Sequence, residues 1–202
     1  MVERRLIQGD EACAQGAIAA GCRFFGGYPI SPSSEIAEYM ARELPRHGGV
    51  FIQMEDELSS LGSVLGASLA GSKAMTATSG PGFTLMQEHL GYATLAEIPC
   101  VVVDVMRGGP STGIPTKSEQ GDLNIAIYGM HGDAPHLVLA PQSVGDCVFT
   151  RQWATYLAEA LQAPAIVLSD QFMGQSRAAP VSEPQVMTAR SPLPSMLAQW
   201  SP

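Results

Sequence analysis

Residues 100–105, CVVVDV, form an almost wholly apolar run, and this run constrains the fold more than any other feature of the chain. A strand with one face in water alternates apolar and polar residues, whereas a strand buried on both faces does not. Similar runs recur along the chain and predict strands at residues 23–25, 50–54, 73–78, 100–106, 136–140 and 165–169.

The segments between these runs have helical patterns. Asp10 is a predicted N-cap for a helix over residues 11–20, and further helices are predicted from Ser33 or Ser34 to about residue 44, and over residues 56–70, 82–96 and 144–161. Strands that alternate with helices form right-handed βαβ units. We therefore predict an α/β fold: a doubly wound, mainly parallel six-stranded sheet with helices on both faces.

The composition limits the partners. The chain has 202 residues, of which 46% are hydrophobic and 15% charged, and its formal net charge is −8. An acidic chain without a basic run does not favour binding to nucleic acid or to an anionic membrane. No apolar stretch reaches the length of a membrane span, and the first residues do not have the pattern of a signal peptide. The low charge content indicates that a partner covers part of the surface.

The cysteines and prolines bear on location and domain organisation. Cys13, Cys22, Cys100 and Cys147 match no zinc or iron–sulfur spacing, so we interpret them as reduced core thiols of a cytoplasmic protein. Residues 1–175 are predicted to form one domain. Residues 176–202 lack periodicity, contain five prolines (Pro180, Pro184, Pro192, Pro194 and Pro202), and are predicted to be a linker or tail.

Residues 26–35, GGYPISPSSE, follow the first predicted strand. Part of this segment is a turn and a helix cap. A cap does not explain why Pro29 and Pro32 flank Ile30 and Ser31, since two fixed φ angles hold the Ser31 hydroxyl in one pose, as a binding group requires. In open α/β sheets ligands bind at the carboxyl ends of strands. Ser31 is therefore a candidate ligand-binding residue.

Three carboxylates, Glu55, Asp56 and Glu57, lie at the start of a predicted helix. Acidic residues at a helix N-terminus are favourable in any protein. The helix that follows is rich in small residues and can pack tightly, so that one carboxyl group could be enclosed. An enclosed carboxyl group at a strand end is a candidate general acid or base.

Two more segments follow strand ends. Residues 76–83, TATSGPGF, form either a simple tight turn or a turn that lies against a flat ligand; they lack the P-loop lysine and the dinucleotide glycine spacing. Residues 107–122, which we call the arginine loop, begin with RGGPSTG. Arg107 could bind a ligand carboxylate in a bidentate manner or pair with a surface acid. The length of the loop favours a functional role.

Five motifs in this order resemble the α subunit of 2-oxoacid:ferredoxin oxidoreductases, closest to the 2-oxoglutarate type (2-oxoglutarate synthase). They are residues 27–34, GYPISPSS; 55–57, EDE; 76–82, TATSGPG; 97–99, EIP; and 107–116, RGGPSTGIPT. The resemblance covers roughly residues 5–180 and implies a domain that binds the aminopyrimidine ring of thiamine diphosphate.

The resemblance also implies roles for residues. The family glutamate that activates the cofactor maps to Glu57, with Glu55 as the second candidate, because a Gly-Ala pair follows on the same helix. Arg107 maps to the arginine that binds the substrate carboxylate. Ser31 replaces the usual threonine of the family loop, and we expect Tyr28 and Pro29 beside it to contact substrate. The cofactor is expected to lie against the turn formed by Thr78, Ser79, Gly80, Pro81 and Gly82.

In the implied reaction, a 2-oxoacid loses CO₂, coenzyme A accepts the acyl group and electrons pass singly through an iron–sulfur centre to ferredoxin. The motif for the diphosphate and Mg²⁺ is absent from the chain, as are cluster cysteines. The resemblance assigns both to a partner β subunit. A following domain of the family is expected to be missing from this chain, as a fragment or a short form, and the chain alone is expected to form a homodimer.

Two other functions fit part of the pattern. A pyrimidine-binding chain of another thiamine-dependent 2-oxoacid decarboxylase would share the glutamate. A non-catalytic assembly subunit would only support its partner, and the presence of Glu57, Ser31 and Arg107 together argues against it. For a second substrate carboxylate, as in 2-oxoglutarate, the cationic candidates are Lys117 and Arg107.

Overall fold

The computed structural model describes residues 6–179. The strands are β1 (Ile7–Gln8), β2 (Phe24–Gly27), β3 (Val50–Gln53), β4 (Ala74–Thr78), β5 (Cys100–Met106), β6 (Leu137–Leu139), β7 (Pro164–Asp170) and β8 (Arg177–Ala178). The helices are α1 (Gly9–Ala19), α2 (Ser34–Glu43), α3 (Glu57–Leu69), α4 (Gly80–Leu85), α5 (Gln87–Leu95), α6 (Leu123–Tyr128), α7 (Val144–Leu161) and α8 (Gln171–Gln175), and a 3₁₀ turn follows α2 at Leu44–His47.

Six strands form one parallel sheet in the order β3-β2-β4-β5-β7-β6. This confirms the predicted doubly wound α/β fold and each of its six strands. The short strands β1 and β8, which the sequence did not predict, pair with each other in an antiparallel manner. Pairing thus continues past residue 175, the predicted domain boundary; the tail from residue 180 lies outside the described residues.

Helices cover both faces of the sheet. One apolar core joins α1, α2 and α7 to one face, and a second joins α3, α4, α5 and α6 to the other. Every residue of β5 is buried, and its valines alternate between the cores: Val101, Val103 and Val105 belong to the first, and Val102 to the second. Burial on both faces is the reason for the continuous apolar run in the sequence.

Two helix boundaries differ from the prediction. Gln8 pairs with Arg177, so the chain enters α1 directly from that ladder and Asp10 lies buried in the first turn instead of capping it. The helix predicted over residues 82–96 begins at Gly80 and is interrupted at Met86, where ψ is −9°. Met86 is fully buried, so core packing sets this bend.

All four cysteines are free and buried, as predicted for core thiols. Burial raises the pKa of the Cys13 and Cys100 thiols to about 12. These thiols are therefore neutral at ordinary pH and act as small apolar side chains. Between residues 6 and 179, none of the helices is both long and apolar enough to cross a membrane.

Candidate functional site

Three loops meet at the carboxyl edge of the sheet, near the point where the strand order reverses. From β2 the chain moves outward to the edge strand β3 and then returns to β4 on the other side of β2. A crevice at such a switch point is where open α/β sheets bind ligands. The three loops are residues 28–33 after β2, the turn at Ser79 that leads from β4 into α4, and the arginine loop after β5.

A cleft of about 480 Å³ opens between the β4–α4 turn and the arginine loop. Gly80, Pro81 and Leu85 line it from the turn and α4, and Arg107, Thr112 and Asp122 line it from the loop. Two of the five predicted turn residues, Gly80 and Pro81, therefore border the same cleft as the predicted arginine.

The structure separates the three carboxylates at the start of α3. Asp56 is the N-cap: its Oδ1 accepts a hydrogen bond from the Ser59 amide at 2.7 Å, and the Ser59 hydroxyl accepts one from the Asp56 amide. The bond from the Ser59 amide holds the pKa of Asp56 below its ordinary value. Glu55 is exposed. Glu57, the first residue of α3, is only 8% exposed and is thus the enclosed carboxyl group of the three.

The Glu57 side chain lies against Gly82 of α4. A Cβ atom placed on Gly82 would lie 2.7 Å from Glu57 Cγ and 2.8 Å from Glu57 Oε1, and would overlap the hydroxyl oxygen of Thr78. Thr78 ends β4 and is fully buried. The turn after β4 thus brings Thr78 and Gly82 to Glu57, and the absence of a side chain at Gly82 leaves the space that the carboxyl group occupies.

A Gly82→Ala substitution is expected to lower the free energy of unfolding by about 1–3 kcal/mol, the range for overpacking a buried site. The reason is the overlap with Thr78, whose β-branched side chain is stiff at χ1. Gly66 in α3 is the matched control, since a Cβ there meets no atom within 4 Å. Gly66→Ala is expected to stabilise by about 0.5–1 kcal/mol. Urea unfolding of both variants measures the difference; equal stabilities would contradict this packing.

Arg107 connects two of the loops. Its side chain is 7% exposed; Nη1 donates to the carbonyl oxygen of Ser31 at 2.6 Å, and Nη2 donates to that of Thr112 at 2.7 Å. A guanidinium group has five N–H donors. Within residues 6–179, Nε is buried without a partner. Among the described residues Arg107 is therefore paired with no surface acid, and it keeps donors for a ligand at the wall of the cleft.

The loop after β2 is held close to the sheet edge by this contact. Tyr28, Pro29 and Ser31 are exposed, whereas Pro32 and Ser33 are buried. The Ser33 hydroxyl donates to the carbonyl oxygen of Ile30 at 2.8 Å, which closes the turn. Arg107 binds the Ser31 carbonyl, so the exposed Ser31 hydroxyl lies within the same group of loops. The structure thus brings Ser31 and Arg107 together, as the sequence predicted.

The arginine loop contains polar contacts that sequence reasoning missed. Glu119 Oε2 accepts a hydrogen bond from the Gly109 amide at 2.9 Å, and Gln120 donates to Asp170 at the end of β7 at 2.6 Å. Asp122 touches Gly80 and the buried Asp104 of β5. An acidic residue inside the apolar run at 100–105 was the one signal in the sequence that could have revealed the last of these contacts.

Comparison with known proteins gives consistent similarities. The family model described as "Pyruvate flavodoxin/ferredoxin oxidoreductase, thiamine diP-bdg" matches residues 15–196. The chain is 59% identical over 176 residues to 2-oxoglutarate synthase subunit KorA of Archaeoglobus fulgidus, a match that covers 87% of this chain and 51% of that protein. It is 42% identical over 172 residues to ketoisovalerate oxidoreductase subunit VorB of Methanothermobacter thermautotrophicus, covering 85% of this chain and 49% of that one.

A solved structure agrees with these matches. It is a 2-oxoglutarate:ferredoxin oxidoreductase from Magnetococcus marinus with 2-oxoglutarate, coenzyme A and succinyl-CoA bound. Its chain is 51% identical, superposes with a TM-score of 0.87, and is matched over 90% of the present chain and 32% of its own length. The present chain thus spans about half the length of the curated 2-oxoglutarate synthase subunits it matches, and about a third of this structural neighbour.

Proposed function

Because the chain belongs to the pyruvate flavodoxin/ferredoxin oxidoreductase family, in its thiamine-diphosphate-binding domain, we propose that it supplies the pyrimidine-binding part of an enzyme that oxidatively decarboxylates a 2-oxoacid. The products are an acyl-CoA and CO₂, and the electrons pass to ferredoxin. We favour 2-oxoglutarate as the substrate, because the four relatives at 55–59% identity are named 2-oxoglutarate synthase subunits. The enclosed carboxyl group of Glu57 beside Gly82 at the switch point carries the proposal.

The residues of the crevice fit the flat pyrimidine end of thiamine diphosphate. Glu57 is a buried carboxyl group, able to hydrogen bond to a ring nitrogen and hold a proton there. The turn from Thr78 through Ser79, Gly80 and Pro81 to Gly82 has little side-chain bulk, and within the described chain the buried Ser79 hydroxyl has no hydrogen-bond partner. When bound, the cofactor supplies a carbon centre that attacks the keto carbon and accepts the electron pair released with CO₂.

Arg107 and the loop after β2 bind the substrate in this proposal. The free N–H groups of Arg107 bind the 2-oxoacid carboxylate, and the exposed Ser31 hydroxyl adds a hydrogen bond. Tyr28 and Pro29, which are exposed on the same loop as Ser31, also contact the substrate in this proposal. In this arrangement the Glu57 carboxyl group holds a proton at the cofactor ring nitrogen, and Arg107 binds the carboxylate of the 2-oxoacid. The two residues therefore have separate roles.

The proposal includes a β subunit that carries the sites for the diphosphate, Mg²⁺ and an iron–sulfur cluster. The apolar side chains around the cleft support a partner there, since Leu85, Ile114 and Leu123 are about half exposed. In the absence of that partner, the same surface favours a homodimer. The free, buried cysteines favour a cytoplasmic location.

Titration calorimetry tests the shared site. The chain alone is expected to bind thiamine diphosphate with Mg²⁺ only weakly, because a site with the pyrimidine half alone lacks the groups that anchor the diphosphate. Addition of the β subunit should produce micromolar or tighter binding, roughly −8 kcal/mol or more. Turnover of 2-oxoglutarate with coenzyme A and ferredoxin should appear only in the mixture.

Two outcomes would contradict the proposal. Micromolar, Mg²⁺-dependent binding to the chain alone would mean that a diphosphate site exists in it. Decarboxylation by the mixture without any need for coenzyme A or ferredoxin would favour a different thiamine-dependent decarboxylase. Sedimentation velocity on the chain alone, with and without the β subunit, measures whether a homodimer forms and whether the partner displaces it.

A further inference from the structure

The carboxyl groups of Asp104 and Asp122 interact at the floor of the cleft. Asp104 projects from β5 and is fully buried, and Asp122 ends the arginine loop and precedes α6. No donor among the described residues reaches either oxygen of Asp104, or Oδ2 of Asp122. Carboxylate oxygens accept hydrogen bonds and cannot donate, so a direct bond between two carboxyl groups requires a proton on one of them.

The pair lies between two of the site loops. Asp104 is the register partner of Thr78 in the parallel pairing of β5 with β4, so both side chains project to the same face of the sheet. Asp122 lies against Gly80: a Cβ atom there would be 2.9 Å from Asp122 Oδ2. The arginine loop is thereby joined at its last residue both to the sheet and to the β4–α4 turn.

We propose that Asp104 and Asp122 form a positioning pair that fastens the arginine loop to the β4–α4 turn, and that the loop is released when the pair loses its shared proton. The pair touches neither Glu57 nor Arg107 in the described contacts. The pair acts on these two residues through the backbone. It holds the arginine loop, which begins at Arg107, and it holds the β4–α4 turn, which leads to Gly82 beside Glu57.

The surroundings of the pair favour one retained proton. Burial is the main reason why the pKa of Asp104 lies well above its ordinary value, and the Asp122 carboxyl adds to the effect. Burial also raises the pKa of Asp122, and Glu119 contributes in the same direction, while the bond from Asp104 opposes it. Asp104, as the fully buried member, holds the proton.

Few other charges reach this position. The neighbouring helices α4 and α8 carry no acidic or basic side chain, and α7 covers the opposite face of the sheet. On α6 the one ionisable group is Tyr128, which is 76% exposed. The remaining acidic, basic and histidine side chains on the elements around the pair are Glu57 on α3, Glu88 and His89 on α5, Asp170 at the end of β7, and Arg107, Lys117 and Glu119 in the arginine loop itself.

The sign of the pH dependence follows from the retained proton. Above the ordinary carboxyl pKa the folded chain keeps a proton on Asp104 that the unfolded chain has released. Raising the pH therefore disfavours the fastened state. Asp104→Asn supplies a permanent donor to Asp122 and removes the titration. Release of the loop exposes the Asp104 carboxyl group to water, where it ionises. Relative to Asp104→Asn, the ratio of fastened to released loop in the unsubstituted chain should therefore fall by up to about tenfold per pH unit.

Limited trypsin digestion after Lys117, an exposed residue of the arginine loop, measures release of the loop. Between about pH 6 and about pH 9, cleavage of the unsubstituted chain, normalised to a peptide of the same sequence, should accelerate by roughly fivefold or more. Asp104→Asn should remain flat. Asp133→Asn is the control, since it removes an exposed carboxylate and should follow the unsubstituted chain. An Asp104→Asn profile as steep as that of the unsubstituted chain overturns the proposal.

Asp122→Asn provides a second variant if Asp104→Asn does not fold, because Asp122 is only half buried. It should make the profile shallower, because the amide can donate to an ionised Asp104 while burial still raises the pKa of Asp104. A profile as steep as that of the unsubstituted chain again overturns the proposal. A further measurement rests on the proposed function and uses the complex with the β subunit. The KM for 2-oxoglutarate should rise at alkaline pH when the chain is unsubstituted, and it should rise less in Asp104→Asn. A flat KM with pH-dependent proteolysis would refute the substrate role of Arg107 and leave the pair intact.

Discussion

Glu57→Gln is expected to remove nearly all 2-oxoacid turnover from the complex of this chain with a β subunit. An amide has almost the same shape but cannot take up or hold the proton that the proposed cofactor activation needs. General acid–base groups are typically worth about 10²–10⁴-fold in rate. Because Glu57 is 8% exposed and lies against Gly82, water has little room to replace its carboxyl group. Steady-state reduction of ferredoxin measures the loss.

Glu55→Gln is the matched control for this experiment. Glu55 lies two residues away and carries the same side chain, but it is exposed, so its substitution should leave turnover within about twofold. Circular dichroism and thermal unfolding should be unchanged in both variants. Equal activity of Glu57→Gln and the unsubstituted complex, or a greater loss with Glu55→Gln, would contradict the assignment of the catalytic carboxyl group.

Arg107→Lys is expected to raise the KM for the 2-oxoacid by roughly tenfold to hundredfold, since charged hydrogen bonds are worth about 1.5–3 kcal/mol each. Lysine keeps the charge but cannot reach the Ser31 and Thr112 carbonyls together and still present a fork to a carboxylate. Affinity for thiamine diphosphate should change little. Initial rates over a range of substrate concentrations, with calorimetry for the cofactor, separate the two effects.

Two further variants interpret this result. Ser31→Ala should raise the KM in the same direction but less, as one neutral hydrogen bond contributes about 0.5–1.5 kcal/mol. Arg46→Lys, at an exposed ion pair with Glu43, should have no effect. If Arg107→Lys weakened cofactor binding and left the KM unchanged, Arg107 would have a cofactor role instead of a substrate role.

The sheet could be predicted from the sequence because its strands are buried on both faces. Continuous apolar runs such as residues 100–106 report that environment directly, and each of the six strands lies within about two residues of its predicted position. The β1–β8 ladder could not be predicted, because two residues paired across a separation of about 170 leave no periodic signal. The same contact moved the start of α1 ahead of Asp10.

The candidate site likewise contains some features that could be predicted from the sequence and others that could not. Local patterns separated strand ends from helices and indicated Ser31, Arg107 and the carboxylates at residues 55–57 as candidates, and the family resemblance selected Glu57. The structure brings Ser31 to Arg107 and Glu57 to Gly82. The hydrogen bonds from Arg107 to the carbonyl groups of Ser31 and Thr112 could not be predicted. Every residue has a main-chain carbonyl group, and only the folded path of the loops brings these two to the guanidinium group. The bond between Asp104 and Asp122 likewise depends on where a 16-residue loop ends.

The hydrogen bonds of Arg107 to Ser31 and Thr112 have a consequence for engineering substrate choice in this scaffold. A single side chain braces two segments that are far apart in the sequence, so their backbones are mutually dependent. Transplanting either segment alone from a relative with another preferred acid would leave the guanidinium group with one mismatched carbonyl. To change the preferred substrate, residues 28–33 and 107–122 therefore have to be transplanted together, with the arginine at position 107 included.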